Sequence, residues 1–267
     1  VMLLQGHSPY YLFKEIRSQA SIVDLYPLAQ KIPDVVRGLI KEGAKAGNIT
    51  QMIAILNDHI LDRMLTLLEQ EMGPPPLPYC WLLMGSEGRR EQTFKTDQDN
   101  AIVYADPGNE AEGEVAARYF KEFADQAINH LVNCGYPLCP GEIMARNPRW
   151  CQPLAVWKSY FDHWINAPEP EELLHATIFF DFRAGYGTVA LAEELRDHLT
   201  VKALRQEIFL LHLARQCMGT RVPLSIFKNF IVGKDGKHKN RLDIKSQGVT
   251  PFTNFARILA LKHGIKE

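Results

Sequence analysis

Two long stretches in the N-terminal part of the chain repeat apolar residues at intervals of three and four. They span residues 32–46 and 49–72. This spacing is typical of a helix that buries one face, so we predict two helices here. Residues 73–76, Gly-Pro-Pro-Pro, end the second helix, because proline lacks a backbone donor and favours extended geometry. We place the first boundary at this point, after an N-terminal helical region of residues 1–73.

The pattern changes beyond the prolines to short apolar runs of the length expected for buried strands. The runs cover residues 79–84 and 101–104. Residues 110–133 return to helical spacing, and a third candidate strand lies around residues 142–145. Strand, loop, strand, helix and strand in this order predict a small α/β core over residues 74–150.

Helical patterns dominate the last part of the chain, residues 151–267. The predicted fold class is therefore α+β, a small mixed-sheet core flanked by N-terminal and C-terminal helical regions. The chain begins and ends within apolar, structured-looking sequence, so we expect the C-terminal region to be truncated from a longer polypeptide. The predicted helices cover residues 153–166, 171–180, 188–217 and 251–263, with a hairpin or excursion over residues 229–245.

Composition and charge narrow the classes of function. Of the 267 residues, 46% are hydrophobic and 23% are charged, which is typical of a folded globular protein. The net charge of −1 gives no overall attraction to nucleic acid or to an anionic membrane, so an anionic ligand must be held by a local site. The chain has no apolar run of the ~20 residues that a membrane helix needs, and its start does not resemble a signal peptide. We expect a cytoplasmic protein.

Several common functional motifs are absent from the sequence. No Walker loop, no G-x-G-x-x-G and no H-E-x-x-H occurs, so kinase, dinucleotide-binding and zinc-protease interpretations have no support. The five cysteines show no C-x-x-C spacing and are interpreted as buried thiols. They are Cys80, Cys134, Cys139, Cys151 and Cys217.

Two acidic residues stand immediately before the second apolar run. Asp97 and Asp99 are two positions apart, so on an extended chain both carboxylates point to one side, with Cβ atoms roughly 6 to 7 Å apart. Like charges held this close repel each other, and a bound cation removes that cost. Magnesium takes oxygen ligands and commonly binds one or two carboxylates together with substrate phosphates. We predict a Mg²⁺ or Mn²⁺ site at these acids, in preference to simple capping of a turn.

The turn after the first apolar run offers a complementary phosphate site. Gly85 permits close approach of the backbone, and Ser86 adds a hydroxyl group beside the N–H groups of the turn. Arg89, Arg90 and Lys95 add cations, and a guanidinium group binds phosphate bidentately. Acidic and basic residues are mixed in this segment, which favours a phosphate bridged by metal over a nucleic-acid backbone.

The order of strand, Gly-Ser, loop, Asp-x-Asp and strand resembles the signature of the DNA polymerase β-like nucleotidyltransferase superfamily. More narrowly, residues 85–104, GSEGRREQTFKTDQDNAIVY, are similar to bacterial signal-transduction nucleotidyltransferases related to the PII uridylyltransferase. The resemblance extends to residues 144–150, MARNPRW, and to residues 173–187, LLHATIFFDFRAGYG, and so covers nearly the whole chain. Members of that family are commonly fused to CBS or cyclic-nucleotide-binding domains, which are therefore expected partners.

The resemblance implies a reaction and a set of site residues. Asp97 and Asp99 would hold two divalent cations on a nucleoside triphosphate, whose α-phosphorus is attacked while pyrophosphate leaves. Residues 151–267 would form a helical substrate-binding domain. The implied nucleotide-binding residues are Gly85, Ser86, Arg89, Arg90, Lys95 and Thr96.

The superfamily normally adds a third carboxylate from a neighbouring strand. Glu142 follows the predicted helix at about the expected place and is our candidate for the third catalytic acid, with Asp181 as the alternative. Asp181 and Arg183 also have two interpretations, as part of a pocket for the acceptor or as an ion pair beneath a helix.

Two functions remain open. One is a Mg-dependent nucleotidyltransferase that moves a nucleoside monophosphate from a nucleoside triphosphate to a protein or small-molecule acceptor. The other is a catalytically weak or inactive nucleotide-sensing module of a larger signalling protein. A third acid beside Asp97 and Asp99 favours the enzyme, and its absence favours the sensor. A polymerase is disfavoured because basic residues are not in excess, and we expect neither nucleic acid nor membrane as a partner.

Overall fold

A computed structural model describes residues 9–93, 97–166, 170–219, 230, 232 and 241–266. The chain divides into two compact units. The first comprises Val1–Trp157 and Ile178–Leu195, and the second comprises Lys158–Thr177 and Arg196–Glu267. The first unit therefore contains both the N-terminal helices and the sheet, which the sequence pattern divided at residue 73.

Four strands of the first unit form one mixed sheet, in the order β3-β2-β1-β4. Strand β1 pairs antiparallel with both β2 and β4, whereas β2 and β3 are parallel. Every residue of β1 and β2 is buried, which explains their continuous apolar runs. The predicted α+β class with a small mixed sheet is confirmed. The strands are β1 (Tyr79–Leu83), β2 (Asn100–Tyr104), β3 (Cys151–Pro153) and β4 (Arg183–Gly187).

Three helices precede the sheet: α1 (Pro9–Ser18), α2 (Leu25–Lys41) and α3 (Ala46–Met72). The two helices predicted from apolar spacing are present as α2 and α3, although α2 begins before the predicted stretch and ends at Lys41. Helix α3 ends at Met72 and is capped by Gly73, immediately before the prolines, as the sequence predicts.

Helix α3 belongs to the first unit because it buries an apolar face there and bonds to the sheet. Met64 and Leu68 are fully buried on this face. Near the end of the helix, the Glu69 carboxylate accepts hydrogen bonds from the hydroxyl groups of Tyr79 on β1 and Tyr186 on β4, at 2.6 and 3.0 Å. These contacts explain why the proline segment does not separate α3 from the sheet.

The short helix α4 (Gly85–Gly88) follows β1, and the long helix α5 (Glu110–Cys134) follows β2. Asn109 caps α5, since its side-chain oxygen accepts a hydrogen bond from the Glu112 N–H at 3.0 Å. Aromatic rings hold α5 on the sheet: the Phe120 ring stacks on Tyr104, with centroids 4.8 Å apart, and also contacts Tyr79. The predicted helix over residues 110–133 is thus confirmed.

The third predicted strand, residues 142–145, is a loop in the structure. This loop bonds to the start of β2 through one residue. The Asn100 N–H donates to the carbonyl oxygen of Ile143 at 3.2 Å, and the Asn100 side chain accepts from the Ala145 N–H at 2.9 Å. The Asn100 side chain therefore takes the place of a backbone partner that a strand would provide. Strand β3 lies further along the chain, at Cys151–Pro153, after a 3-10 turn at Pro148–Trp150.

Helices predominate in the described residues after Pro153, but the predicted helical region of residues 151–267 also contains β3 and β4, which join the sheet of the first unit. The predicted helix over residues 188–217 is two helices, because the chain turns at Arg205 and Gln206. The predicted hairpin at residues 229–245 lies largely outside the described residues. No described helix has both the length and the apolar character that crossing a membrane requires. The helices are α6 (Leu154–Asn166), α7 (Pro170–Phe179), α8 (Val189–Leu204), α9 (Glu207–Met218) and α10 (Thr250–His263).

Within the second unit, helix α9 packs on α10. Phe209 and Leu213 of α9 are buried, as is Leu261 of α10. A separate polar contact joins the Asp162 carboxylate to His198 at 2.8 Å and to Lys202 at 3.1 Å. This unit thus has its own apolar contact surface between helices.

Gly88 provides a test of how tightly α4 lies against the segment that leads into β4. A Cβ atom on Gly88 would lie 2.1 Å from the carbonyl oxygen of Asp181. We expect Gly88→Ala to lower the free energy of unfolding by about 1–3 kcal/mol, because backbone would have to move. Chemical denaturation measures the effect.

Gly38→Ala in α2 is the matched control, since no described atom lies within 4 Å of its added Cβ. Alanine favours a helix interior by about 0.5–1 kcal/mol over glycine, so this variant should be slightly more stable than the parent protein. Equal effects of the two substitutions would contradict the close approach at Gly88.

Candidate metal centre

Asp97 and Asp99 lie in the connection that leads into β2, and their carboxylates face the same region. A carboxylate oxygen from each, together with Sγ of Cys139, forms a group of atoms that all lie within 4.8 Å of one another. Both acids are partly buried. The structure therefore brings the two acids together, as their alternate positions on an extended chain predict.

The turn after β1 lies against the same pair of acids. Gly85 adopts a φ of +55°, and a Cβ atom there would lie 3.2 Å from Oδ2 of Asp99. The Met84 N–H donates to the Asp99 carbonyl oxygen at 2.9 Å, which continues the antiparallel pairing one step beyond Leu83 and Asn100. Glycine meets both the left-handed backbone and the narrow space beside the carboxylate.

Gly85 and Ser86 open helix α4, so their N–H groups have no carbonyl acceptor within that helix. The next two N–H groups, of Glu87 and Gly88, both bond to the carbonyl oxygen of Met84, at 3.1 and 3.0 Å. Ser86 is partly exposed. The turn can therefore donate hydrogen bonds to a phosphate oxygen placed beside Asp99.

Cys139 is a member of the group that the sequence analysis did not single out. It is 7% exposed, and its thiol is hydrogen-bonded to the Asp99 side chain. Burial, more than this bond, raises the pKa of the thiol to about 11. In the sequence, Cys139 resembles the other four cysteines, because neither its spacing nor its neighbours mark it as a ligand.

Glu142, the predicted third acid, lies outside this group. Its side chain is exposed, and its backbone has a φ of +55°. Its carbonyl oxygen accepts hydrogen bonds from the Trp150 indole at 3.0 Å and from the Asn147 side chain at 3.1 Å. The described hydrogen bonds of Glu142 are thus made by its backbone groups and not by its carboxylate.

The two arginines of the turn have different environments. Arg89 donates to Asp181 at 2.6 Å and to Glu91 at 2.9 Å, so its guanidinium group is already paired with two carboxylates. Arg90 is exposed, has a φ of +57°, and forms no ion pair within the described parts of the chain. Arg90 is therefore the better placed of the two to meet a phosphate. The other predicted nucleotide-binding residues of this loop, Lys95 and Thr96, lie outside the described residues.

Asp181 and Arg183 do not pair with each other. Arg183, the first residue of β4, donates to Oδ1 of Asp58 on α3 at 2.6 Å and to the carbonyl oxygen of Glu87 at 3.0 Å. Asp181 instead pairs with Arg89, and its side chain is only 11% exposed. Arg183 therefore joins β4 to α4 and α3, and the ion pair of Asp181 joins the segment before β4 to the residue that follows α4. Their role in an acceptor pocket stays a prediction.

Glu87 is a second carboxyl group that sequence reasoning did not single out. It is 8% exposed and lies on α4, between the glycine turn and Arg183. Burial raises the pKa of Glu87 to about 8, and the negative charge of Asp99 adds to the shift, which Arg183 partly opposes. An acid between a serine and a glycine gives no sequence signal of this burial.

A small polar cavity of about 20 Å³ lies beside Glu87. Gln92 and Gln98 line it, and both are almost fully buried. Both amide atoms of Gln92 and the amide oxygen of Gln98 have no hydrogen-bond partner among the described residues. A cavity of this size has room for about one water molecule, which these groups could bind.

The donor set suits a divalent cation. Carboxylate oxygens are the usual ligands of Mg²⁺ and Mn²⁺, and two of them converge here. Because Gly85 has no side chain, the narrow space beside Asp99 stays open. Asp97 and Asp99 would hold the ion, with the thiol of Cys139 next to them.

The α+β core with its small mixed sheet is consistent with a nucleotidyltransferase-like fold. Residues 30–171 match the family model described as "Putative nucleotidyltransferase DUF294", and residues 207–267 match the model described as "Putative nucleotidyltransferase substrate binding domain". The chain belongs to this nucleotidyltransferase family. The comparison with curated proteins found no match.

Substitution of Glu87 should change how stability depends on pH. A carboxyl group whose pKa rises on folding from 4.5 to about 8 stabilises the folded state at low pH, and this contribution is lost as the pH rises between those values. We therefore expect Glu87→Gln to gain stability relative to the parent protein as the pH is raised from about 5 to about 8, by a few kcal/mol. Denaturant unfolding in metal-free buffer measures this difference.

Glu114→Gln, at an exposed acid of α5, is measured alongside as the control. A constant difference for Glu87→Gln over the same pH range would show that Glu87 ionises as an ordinary exposed glutamate.

Proposed function

We propose that this protein is a divalent-metal-dependent nucleotidyltransferase that moves a nucleoside monophosphate from a nucleoside triphosphate to an acceptor and releases pyrophosphate. Family membership supports nucleotidyl transfer in general. The observation that carries the more detailed proposal is the contact of the glycine turn with the acid pair, where an added Cβ on Gly85 would lie 3.2 Å from Asp99. One ligand can therefore meet the turn through its phosphates and the acids through a shared cation.

Each group of the site has a proposed task. Asp97 and Asp99 would hold the divalent cation, for which the sequence predicts Mg²⁺ or Mn²⁺, and a cation held there would neutralise the triphosphate and activate the attacking oxygen. The N–H groups of Gly85 and Ser86 donate to phosphate oxygens, and the exposed Arg90 adds a guanidinium donor. The chain thus acts mainly by positioning and by charge complementarity.

In the proposed reaction, an acceptor oxygen forms a bond to the α-phosphorus as the bond from that phosphorus to pyrophosphate breaks. The acceptor loses its proton to solvent or to a base. The resemblance to enzymes related to the PII uridylyltransferase leads us to propose a signalling role with a regulatory protein or a small molecule as the acceptor. We propose that residues 207–267, which match the substrate-binding model, bind this acceptor.

A second candidate function is a nucleotide sensor with weak or no transfer activity. The specific observation in its favour is the composition of the donor group, in which the third member is Cys139 and the candidate acid Glu142 is exposed elsewhere. Such a module would bind the nucleotide through the same turn and acids but would not release pyrophosphate. Binding and turnover therefore separate the two functions.

Asn substitutions at the two acids test the transfer reaction. We expect Asp97→Asn and Asp99→Asn each to lower the rate of pyrophosphate release by about 100-fold or more, because binding of the catalytic cations contributes several kcal/mol to the transition state. The assay supplies Mg²⁺ or Mn²⁺, each of the nucleoside triphosphates in turn, and a cell extract as the source of acceptor.

Asp106→Asn is the matched control, since Asp106 is an exposed acid that follows the opposite end of β2. It should keep the parent rate. Equal transfer by all three variants would reject the assigned site. Nucleotide binding without any pyrophosphate release by the parent protein would instead establish the sensor.

The two arginines of the turn should give different defects. We expect Arg90→Gln to weaken nucleoside triphosphate binding by roughly tenfold with little change in stability, because one charge-assisted hydrogen bond is lost. Arg89→Gln should instead lower the free energy of unfolding by about 1–3 kcal/mol, because it removes the ion pair with the largely buried carboxylate of Asp181. Fluorescent-nucleotide titration and denaturant unfolding measure the two effects. The opposite assignment of defects would contradict the described ion pair.

A further inference from the structure

The group formed by Asp97, Asp99 and Cys139 approaches the dimensions of a metal site with three protein ligands. In such sites, oxygen ligands lie about 2.0–2.2 Å from a Zn²⁺-class ion and sulfur lies about 2.3 Å from it, so two ligand atoms are separated by at most about 4.5 Å. The three ligand atoms here lie within 4.8 Å of one another. Small side-chain movements would therefore place all three on one ion.

Backbone hydrogen bonds hold the Cys139 loop against the two acids. On one side of Cys139, the carbonyl oxygens of Tyr136 and Pro137 accept bonds from the side chain and the N–H of Gln98, each at 3.0 Å. On the other side, Ile143 accepts from the Asn100 N–H at 3.2 Å. Gln98 and Asn100 alternate with the two aspartates. These hydrogen bonds therefore hold the loop that contains Cys139 beside the segment that carries the acids.

Burial alone does not explain the position of Cys139. Cys80 and Cys134 are also buried thiols, and in the described part of the chain neither belongs to a group that could hold a metal. Cys139 is hydrogen-bonded to Asp99, and its Sγ lies within 4.8 Å of a carboxylate oxygen of each acid. It therefore faces the same ligand region as the acids.

We propose that Cys139 is the third protein ligand of the metal centre and that the centre consequently prefers thiophilic divalent ions of the Zn²⁺ class to Mg²⁺. This inference rests on the metal site in the proposed function. Sulfur is a soft ligand that selects such ions, whereas Mg²⁺ takes oxygen ligands almost exclusively. On binding, the S–H bond of Cys139 breaks, the S–metal bond forms, and the proton passes to solvent.

Cadmium titration provides a direct test, because cadmium bound to a thiolate absorbs in the ultraviolet through charge transfer. The full chain is freed of metal and titrated with Cd²⁺, with the absorption difference as the signal. We expect one such band per chain in the parent protein and its loss in Cys139→Ser. Cys217→Ser, at a partly exposed thiol, is the control and should keep the band. Retention of the band in Cys139→Ser would overturn the proposal.

Asp97→Asn and Asp99→Asn extend the test to the rest of the site. Each should weaken Cd²⁺ binding by at least about tenfold. If Cys139→Ser loses the band while both Asn variants bind Cd²⁺ normally, the thiol binds metal without the acids, and the proposed catalytic site fails. If Cys139→Ser keeps the band while both Asn variants bind poorly, only the thiol ligand is wrong.

Cys139→Asp keeps the inference testable if the serine variant does not fold. This substitution replaces the soft ligand by a carboxylate, so we expect loss of the cadmium band and at least about tenfold tighter binding of Mg²⁺. The rise in melting temperature with Zn²⁺ or Mg²⁺ measures the preference without an activity assay. A parent protein that Mg²⁺ stabilises at lower concentrations than Zn²⁺ does would contradict the proposed preference.

Discussion

Antiparallel pairing of β1 with β2 sets the distance between the glycine turn and the acids. The last ladder pair joins Leu83 to Asn100, and the Met84 N–H continues it to the carbonyl oxygen of Asp99. Because the strands run in opposite directions, the end of one lies beside the start of the other. The turn that leaves β1 and the acids that enter β2 must therefore meet. A one-residue shift of register would turn the carboxylates to the opposite face of the sheet.

Several acidic side chains lie close together beside the pairing of β1 with β2. The acid pair places negative charge beside the buried Glu87, and burial raises the pKa of Glu87 to about 8, which favours its neutral form at pH 7. Arg183 offsets part of that charge and ties β4 to Asp58 of α3. Like charges held together are costly in a folded chain and are expected where a cation is to be bound. The surrounding helices supply the packing that holds this arrangement in place.

Membership of the nucleotidyltransferase family indicates the type of reaction, whereas the donor atoms around Asp97 and Asp99 bear on the metal. The family matches cover the region of the turn and the acids, and also residues 207–267. They support transfer chemistry without naming a metal or an acceptor. The structure places the thiol of Cys139 beside the two carboxylates, and the proposed choice of ion rests on this thiol. Metal preference thus depends on a residue that lies outside the Gly-Ser and Asp-x-Asp motif.

The sequence alone determined the features that depend on neighbouring residues. Apolar runs predicted β1 and β2, and alternation along an extended chain predicted that Asp97 and Asp99 face one way. Only the tertiary structure decided which distant residue joins them: Cys139 does so, whereas Glu142 sits in a loop where a strand was expected. It also paired Arg89 with Asp181. Side-chain alternation is a local consequence of backbone geometry, but contacts between segments far apart in sequence depend on hydrogen bonds that no local pattern specifies.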